Sequence, residues 1–467
     1  MTEQQIAALG PDFDNYLQQF DLCCNHPATF RLLGVYCRGL LSPLPRKSAE
    51  PIALAAGVAV RTLQEFLRDH RWSYQLAREA LHQAVIADLA TFPDEGLGNI
   101  GVVDETSVAK KGTKTPGVQR QWCGAVGKVE NCIVTVHLGV ARGRYKTLID
   151  AELFLPESWA DDPERCAEAD IPEGREHQPK WQLALRQILR ARVTGFTFDW
   201  MTFDEGYGSK PGFLDRLDDW GQGYVGEVPR NFSCFSRPPR AGQTGSWVED
   251  LARHSPSFYR QSWQEVRLPR QTLGEQVWLA RMAEVWVRDS DGVRVRHRWL
   301  IVAENEATGE TKYFISAGGP AETDLAVRLR VGFQRYHVEH CFRLSKEELG
   351  WCHYEGRSYV GLMRHLMLCL VTGGFAAREA ASLRGEKSGG NGGASLSRAE
   401  RGVPGLADDA ARYVGGGRGV GHDPIPPTSQ FGGSPIPATP QRRPAAGATT
   451  LATAAATGKC CEITVAL

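Results

Sequence analysis

Apolar and polar residues alternate with two different periods along the chain. Up to about residue 95, apolar side chains recur three or four positions apart, the spacing of a helix with one buried face. From about residue 98, short runs rich in valine and other apolar residues take over, which is typical of buried strands. The pattern therefore predicts an all-helical segment over 1–95, with helices at 13–24, 30–41, 49–56, 61–68 and 73–89.

The strand-rich region that follows has a definite order of elements. Three strands come first, then a helix, and then strands and helices in turn. This order is typical of a ribonuclease-H-like α/β domain. We expect strands at 98–103, 132–140, 146–155, 193–203 and 223–228, and helices at 181–192 and 213–220.

Two further changes of pattern mark the second half of the chain. Residues 230–325 alternate like antiparallel strands separated by turn signals, which predicts a β-rich insertion. Helices are predicted at 332–350, where Gly350 is a natural stop, and at 359–375, whose apolar surface should pack on the sheet. After residue 384 glycine, proline, alanine, serine and threonine dominate. Such a tail, 384–467, cannot bury enough apolar surface to offset its ordering entropy and should be disordered.

Composition and charge narrow the class of protein. The 467 residues carry 54 basic and 54 acidic side chains, so any polyanion would have to bind a local basic face rather than the whole surface. The chain has neither an uninterrupted apolar run of about 18 residues nor a signal-peptide pattern, which predicts a cytoplasmic protein without a membrane span. Its twelve cysteines include no Cys-x-x-Cys pair, so we expect reduced, buried thiols rather than a zinc or disulfide framework.

Three acidic residues, at the ends of two apolar runs and on a predicted helix, are the candidate catalytic groups. Two apolar runs end in Asp104 and Asp204, and the helix predicted at 332–350 carries Glu339 between Arg335 and Lys346. At about 100° per residue these three helical side chains project within roughly 40° of one another. Two strand-end aspartates and a helical glutamate are the oxygen donors needed to hold a pair of divalent cations such as Mg²⁺ for phosphoryl transfer. A surface helix with scattered charges remains the alternative for the triplet.

Basic residues near these acids suggest a polyanionic substrate. Arg335 and Lys346 are positioned to hold DNA phosphates as counter-charges. Lys110, Lys111 and Arg120 lie in a segment with basic and aromatic character just after Asp104, which suits a DNA backbone close to the metals. A solvated hairpin is the alternative reading of that segment.

Residues 52–67 have the form of a helix, a glycine-containing turn and a second helix. This pattern matches a helix-turn-helix, whose second helix could enter a major groove with Arg61 and Arg68 as phosphate contacts. A plain helical hairpin inside a bundle remains open, because the second helix is not especially basic.

Several blocks of sequence resemble one known family. The blocks occur in order over about 30–380, and the chain resembles insertion-sequence transposases of the Asp-Asp-Glu (DDE) endonuclease superfamily. More narrowly it is similar to the insertion-sequence type 701 subgroup and to the group with a Tyr-Arg-Glu-Lys signature. Arg335, Glu339 and Lys346 match that signature in spacing, whereas Gly332 stands at the tyrosine position. The other blocks are 104–106, 110–112, 117–124, 127–132, 204–208, 349–350 and 353–358.

The resemblance implies an activity and a set of partners. It implies a ribonuclease-H-like catalytic domain with a β-rich insertion, dependent on Mg²⁺ or Mn²⁺. It also implies binding to double-stranded DNA at terminal inverted repeats, strand cleavage, and transfer of the 3′-hydroxyl into target DNA, usually by a homodimer or larger synaptic complex. The tail departs from the family, and we hypothesise a frameshift or truncation near residue 384.

The predicted organisation and its alternatives follow from these observations. The expected parts are a helical DNA-binding domain (1–95), a catalytic core in two parts (96–229 and 326–383), the β-rich insertion (230–325) and the tail (384–467). A defective or domesticated protein that keeps end recognition without transposition is the main alternative. A carboxylate-pair hydrolase such as a glycosidase is disfavoured, because Arg335 and Lys346 suit a polyanionic substrate.

Overall fold

The computed structural model describes residues 3–270, 274–319 and 323–388 of the chain. These residues belong to one unit, Met1–Arg412, whereas a second unit, Tyr413–Leu467, lies outside the described residues. The disorder predicted for the tail therefore falls outside the described residues from 389 onward, and residues 384–388 form the end of a helix.

Helices fill the N-terminal region, as the apolar spacing predicts. Pro27 begins α2, where its missing N–H has no helical partner to lose, and the Ser73 side chain caps α5 by accepting from the backbone N–H of Leu76. Gly57, at φ +65°, makes the turn between α3 and α4. The helices are α1 (Glu3–Gln18), α2 (Pro27–Leu41), α3 (Ala49–Ala55), α4 (Val60–Arg68) and α5 (Tyr74–Thr91), with a 3₁₀ turn at Asp21–Cys23.

A ten-stranded mixed sheet forms the centre of the described structure. Its first half contains β1 (Ile100–Ala109), β2 (Gln119–Cys123), β3 (Lys128–Arg142), β4 (Tyr145–Leu153), β5 (Trp200–Phe203) and β6 (Tyr224–Val228). Strand β1 lies between β3, to which it is antiparallel, and β5, to which it is parallel; β6 is parallel to β5. Short helices and α8 connect these strands: α6 (Glu157–Ala160), α7 (Pro163–Glu168), α8 (Lys180–Val193), α9 (Glu205–Gly208) and α10 (Pro211–Asp219).

The β-rich region predicted at 230–325 is present, and its long strands extend the same sheet. Strand β12 pairs antiparallel with β6, so the strand order is β2-β3-β1-β5-β6-β12-β11-β10-β9, with β4 paired to β3. The elements are β7 (Ser233–Cys234), β8 (Ser246–Trp247), α11 (Val248–His254), α12 (Pro256–Tyr259), β9 (Gln264–Arg270), β10 (Gly274–Arg288), β11 (Val295–Asn305) and β12 (Thr311–Ala317). The region is thus continuous with the core sheet rather than a separate layer.

The C-terminal helices of the described chain are α13 (Leu325–Phe333), α14 (Tyr336–Glu347) and α15 (Tyr359–Ser388), with a 3₁₀ turn at Trp351–His353. Helix α15 connects the N-terminal helices to the core. The Tyr36 hydroxyl lies 2.9 Å from His365 Nδ1, and the Tyr16 hydroxyl donates to the Val371 carbonyl at 3.0 Å. The segment Tyr359–Leu383 is long and apolar enough to cross a membrane, but 78% of its apolar window is buried, as in a core helix.

Three local predictions were wrong. Strand β1 does not end at Asp104 but continues to Ala109, because β3 pairs with it along its whole length. The strand predicted at 193–203 is confined to Trp200–Phe203. The helix predicted at 332–350 is divided between α13 and α14, with a break at 334–335, although Gly350 does end the segment in the left-handed conformation.

Candidate active site

The first two candidate aspartates meet where two parallel strands separate. Pairing between β1 and β5 ends at Val103 and Phe203, and Asp104 and Asp204 are the next residues on each strand. Beyond this point β1 continues beside β3. Asp204 instead begins α9, and its side chain accepts a hydrogen bond from the Tyr207 N–H at 3.3 Å. The separation of the two strands opens a cleft with one carboxylate on each side.

The third candidate, Glu339, comes to this cleft from helix α14. Arg335, at the start of α14, donates through the same nitrogen to Asp104 Oδ2 at 3.2 Å and to Glu339 Oε1 at 2.8 Å. Because both oxygens accept from the same guanidinium nitrogen, Asp104 Oδ2 and Glu339 Oε1 are no more than about 6 Å apart. The spacing Arg335 to Glu339 is an i,i+4 pair, which places both side chains on one face of the helix.

A single cavity of about 680 Å³ contains these groups. Five of the residues predicted from the sequence line it together, and these are Asp104, Asp204, Arg335, Glu339 and Lys346. The geometry thus brings the predicted acids and their flanking cations into one place, although they are far apart along the chain.

The buried aspartates experience an excess of negative charge. Burial, reinforced by the nearby Asp204 carboxylate and opposed by Arg335, raises the pKa of Asp104 to about 7. Burial and the Glu105 carboxylate also raise the pKa of Asp204. Both shifts arise first from burial, to which the neighbouring carboxylates add, so each aspartate holds its negative charge less readily than it would in water.

The donor set suits a hard divalent cation, but the arrangement is not that of a loaded metal site. Among residues 3–270, 274–319 and 323–388, no three His, Cys, Asp or Glu side chains surround a common point at metal-ligand distance. The Arg335 guanidinium lies between Asp104 and Glu339 and supplies the counter-charge there. Carboxylate oxygens are the ligands that Mg²⁺ and Mn²⁺ prefer, so these residues fit the expected ion in their chemistry.

The cleft is also lined by charged residues that were ranked low or missed in the prediction from sequence. Glu105 forms an ion pair with Lys180, and Glu227 accepts a hydrogen bond from Lys312 at 2.6 Å. Glu105 and Glu205 directly follow the two aspartates, so their position in sequence was a usable signal. Glu227 lies near the end of β6, the strand next to β5. Arg343 follows Glu339 by four residues, so helical spacing was a usable signal for it, whereas Lys312 could be found only from the fold.

The predicted DNA contacts have different environments. Lys110 donates to the Tyr354 carbonyl at 2.8 Å, and burial lowers its pKa. The structure therefore gives Lys110 a partner within the protein, which argues against its predicted role as a DNA contact without testing that role. Lys111 and Arg120 are exposed after β1 and on β2, the latter in a β-hairpin, as the alternative reading of this segment expected.

The candidate contacts of the helix-turn-helix lie on the surface of α4. Arg61 is exposed and forms an i,i+4 ion pair with Glu65 at 2.6 Å. Arg68 is also exposed, with Asp69 and Asp170 each at 3.5 Å. Both arginines are therefore accessible to a partner, whereas the apolar side of α4 is buried.

Comparisons with known proteins find similar sequences and solved structures. A family model described as DDE superfamily endonuclease matches residues 16–283, which is more than half of the chain and includes Asp104 and Asp204. A protein described as "Probable transposase for insertion sequence element IS701", from Microchaete diplosiphon, is 25% identical over 367 residues, covering 77% of this chain and 86% of that protein. A solved synaptic complex of piggyBac transposase with hairpin DNA aligns over 82% of this chain and 72% of its own, with 11% identity and a TM-score of 0.38. The resemblance predicted from the sequence is thus confirmed, and the chain belongs to the DDE superfamily of endonucleases as a relative of the IS701 transposase.

Proposed function

We propose that this protein is the DNA transposase of a bacterial insertion sequence. It binds the terminal inverted repeats of its element, cleaves the DNA strands in a metal-dependent reaction, and transfers the 3′-hydroxyl into target DNA by a cut-and-paste route. The observation that carries the proposal is the convergence of Asp104, Asp204 and Glu339 on one cleft, in a chain that belongs to the DDE endonucleases. We further propose that the core is ribonuclease-H-like, which the pairing of β1 with antiparallel β3 and parallel β5 supports.

The acidic residues have separate tasks in this proposal. Asp104 and Asp204 would hold the metal, with Glu339 completing the set, and two ions remain the prediction from the sequence. A bound Mg²⁺ or Mn²⁺ supplies Lewis acidity that stabilises negative charge on phosphoryl oxygens. The Glu105 N–H donates to Asp104 Oδ1 at 2.7 Å and fixes the orientation of that carboxylate.

The cations of the cleft bind and orient the DNA backbone. Lys346 and Arg343 line the same cavity as the acids and are placed to contact phosphates on either side of the cleaved one. Arg335 would join them once it leaves its position between the two carboxylates. A fixed set of cations around the acids holds the substrate phosphate in position, which is the main contribution that a protein makes to phosphoryl transfer.

The proposal includes partners and location. Double-stranded DNA is the substrate, with α3 and α4 recognising the element end and Arg61 and Arg68 contacting its phosphates. A homodimer would bring two ends together in a synaptic complex in the bacterial cytoplasm, on the nucleoid. The competing function is a DNA-binding protein that recognises the ends without cutting them.

Cleavage of DNA carrying the element ends, measured with Mg²⁺ or Mn²⁺ beside a band-shift assay, tests the proposal. Asp204→Asn is the best substitution, because asparagine is also a good N-cap and should keep the start of α9 while losing the charge. We expect cleavage to fall by about two to three orders of magnitude, from the loss of charge stabilisation in the reaction. The band shift should not change.

Glu79→Gln on the exposed side of α5 is the matched control and should cleave like the wild type. Undiminished cleavage by Asp204→Asn would remove Asp204 from the active site. A wild-type protein that shifts the end DNA but does not cut it with either metal would favour the competing function.

A further inference from the structure

A β-hairpin forms one wall of the candidate active site. Strands β2 and β3 are joined by a tight turn in which the Cys123 carbonyl accepts from the N–H groups of Val126 at 3.0 Å and Gly127 at 2.9 Å. The turn is fixed to β1, because the Ala125 N–H donates to Ser107 Oγ at 3.1 Å. The hairpin therefore has a defined position relative to the strand that carries Asp104.

The two faces of this hairpin differ in burial. Its inner face contributes Cys123, Cys132 and Val134 to a small apolar cluster, against which Phe154 packs. On its outer face Trp122 is 63% exposed, and its cross-strand partner Val129 is 51% exposed. An indole and a valine side by side in water are unfavourable, because apolar surface stays hydrated without a compensating contact.

Trp122 is set apart from other exposed tryptophans by its place. Trp247 and Trp263 are also exposed among the described residues, but Trp122 lines the same cavity as Asp104, Asp204 and Glu339. The exposed cation Arg120 lies two residues before Trp122 on β2, on the same face of the hairpin. An aromatic face next to a cation, continuous with the proposed cleavage site, is the combination that binds unpaired nucleotides.

The hydrogen bond between the turn and Ser107 determines how far the exposed face of the hairpin lies from Asp104. Ser107 lies three residues beyond Asp104 on β1, which corresponds to about 10 Å at 3.3 Å per residue. Duplex DNA rises about 3.4 Å per nucleotide, so a base at the hairpin lies within about three nucleotides of a phosphate held at Asp104.

We propose that Trp122 stacks on a nucleobase unpaired within about three nucleotides of the cleaved phosphate, and thereby holds the DNA end open in the active site. This inference rests on the proposed function and assigns the hairpin as a nucleotide-binding element of it. Val129 supports the edge of the indole, and Arg120 contacts a phosphate of the displaced strand.

Paired and mispaired versions of the same end distinguish stacking from a structural role. Trp122→Ala should cleave the fully paired end roughly 10- to 100-fold more slowly, the effect expected for one lost base–aromatic stack. A substrate with a mismatch at the contacted nucleotide should restore Trp122→Ala to within about threefold of wild type, because the base is already unpaired. Trp122→Phe should keep most of the activity on both substrates.

Trp263→Ala is the matched control, since this tryptophan is partly exposed and lies over Arg281 at 4.0 Å, outside the cleft. Thermal unfolding midpoints should agree among all variants. An unchanged rate for Trp122→Ala on paired DNA would overturn the inference, as would an equal loss on paired and mispaired DNA.

Photo-crosslinking provides a readout that does not need cleavage. End DNA carrying 5-iodouracil at each of three positions on either side of the cleaved phosphate is bound to the Asp204→Asn protein and irradiated. We expect one position to crosslink to the peptide containing Trp122; crosslinks elsewhere only would refute the stacking. If the wild type neither binds nor cuts the end, the proposed function fails, whereas cutting without a Trp122 effect removes this inference alone.

Discussion

Replacing Arg335 by glutamine should tighten the binding of a divalent metal to the DNA-free protein. The Arg335 guanidinium lies between Asp104 and Glu339 and neutralises them, so a metal ion that uses these carboxylates must displace it. Glutamine keeps a polar side chain of moderate length but carries no charge to compete. The variant therefore separates the role of Arg335 as a counter-ion from its role in binding DNA.

The size of the effect follows from the two contacts. A hydrogen bond to a charged group contributes about 1.5–3 kcal/mol. The Glu339 side chain is 46% exposed, so its bond to Arg335 is weakened by solvent, whereas the Asp104 side chain is 11% exposed and its bond counts in full. Losing one such bond makes metal binding easier by about 1.5–3 kcal/mol, which is roughly a 10- to 100-fold lower Kd.

Isothermal titration of the DNA-free protein with Mn²⁺ measures this directly. Arg343→Gln is the matched control, because Arg343 lines the same cavity and its substitution removes the same charge. A small gain in affinity in both variants would reflect the general field of the cleft. The reasoning is refuted if Arg335→Gln binds Mn²⁺ no more tightly than wild type, or if Arg343→Gln gains as much.

Three further predictions concern residues away from the acids. Arg364 donates to five backbone carbonyls at the end of α4 and just beyond it, so Arg364→Met should lower the free energy of unfolding by about 3 kcal/mol or more in urea, while Arg61→Met changes it by less than about 0.5 kcal/mol. Burial lowers the pKa of His365 to about 4, so only the unfolded chain takes up its proton between pH 6.5 and 4; stability should fall by about 2 kcal/mol from pH 7 to 5, and less in His365→Gln. Lys110→Met should reduce stability without altering the salt dependence of DNA binding, whereas Lys111→Ala should lower the slope of log K against log salt by about one.

The sequence predicts strands and helices well where one pattern of burial applies along the whole element. The prediction failed at β1 because the strand has different pairing partners before and after Asp104. Up to Val103 the strand is buried between β3 and β5, and beyond it only β3 remains as a partner. Polar side chains such as Thr106 and Ser107 then look like a loop, although the backbone is still paired. Which neighbour ends first cannot be determined from one strand alone.

The break between α13 and α14 has tertiary causes that no local residue announces. Phe333 packs against Trp278 with ring centres 4.7 Å apart, and the Gly332 carbonyl accepts from Thr202 Oγ1 at 3.3 Å. Two residues later Arg335 is directed to Asp104. Because both ends of the break are held by distant partners, a segment without internal glycine or proline still divides. The side-chain stripe of Arg335 and Glu339 was predictable, since it depends only on helical spacing within α14.

Cations were the least predictable part of the site. Lys110 and Lys111 are neighbours in sequence, yet Lys110 is partly buried and donates to the Tyr354 carbonyl, whereas Lys111 is exposed. In an extended chain successive side chains point in opposite directions, so two adjacent lysines are expected to differ in exposure. The sequence does not show which of the two contacts the protein. Lys312 reaches the cleft only because β12 pairs with β6, a connection between strands more than 80 residues apart.

Helix α15 links α4, the candidate recognition helix, to the candidate active site. Arg364 donates to the carbonyls at the end of α4, and the next residue of the same helix, His365, lies 3.1 Å from the Gly350 carbonyl, just after α14. The candidate recognition helix and the helix that carries Glu339 are therefore held by adjacent residues of one buried element. A DNA end bound by α4 would lie at a fixed distance from the acids, so the spacing between the recognised sequence and the cleaved phosphate would be set by the protein rather than by the DNA. Loosening Arg364 should then spread the cleavage positions as well as weaken the fold.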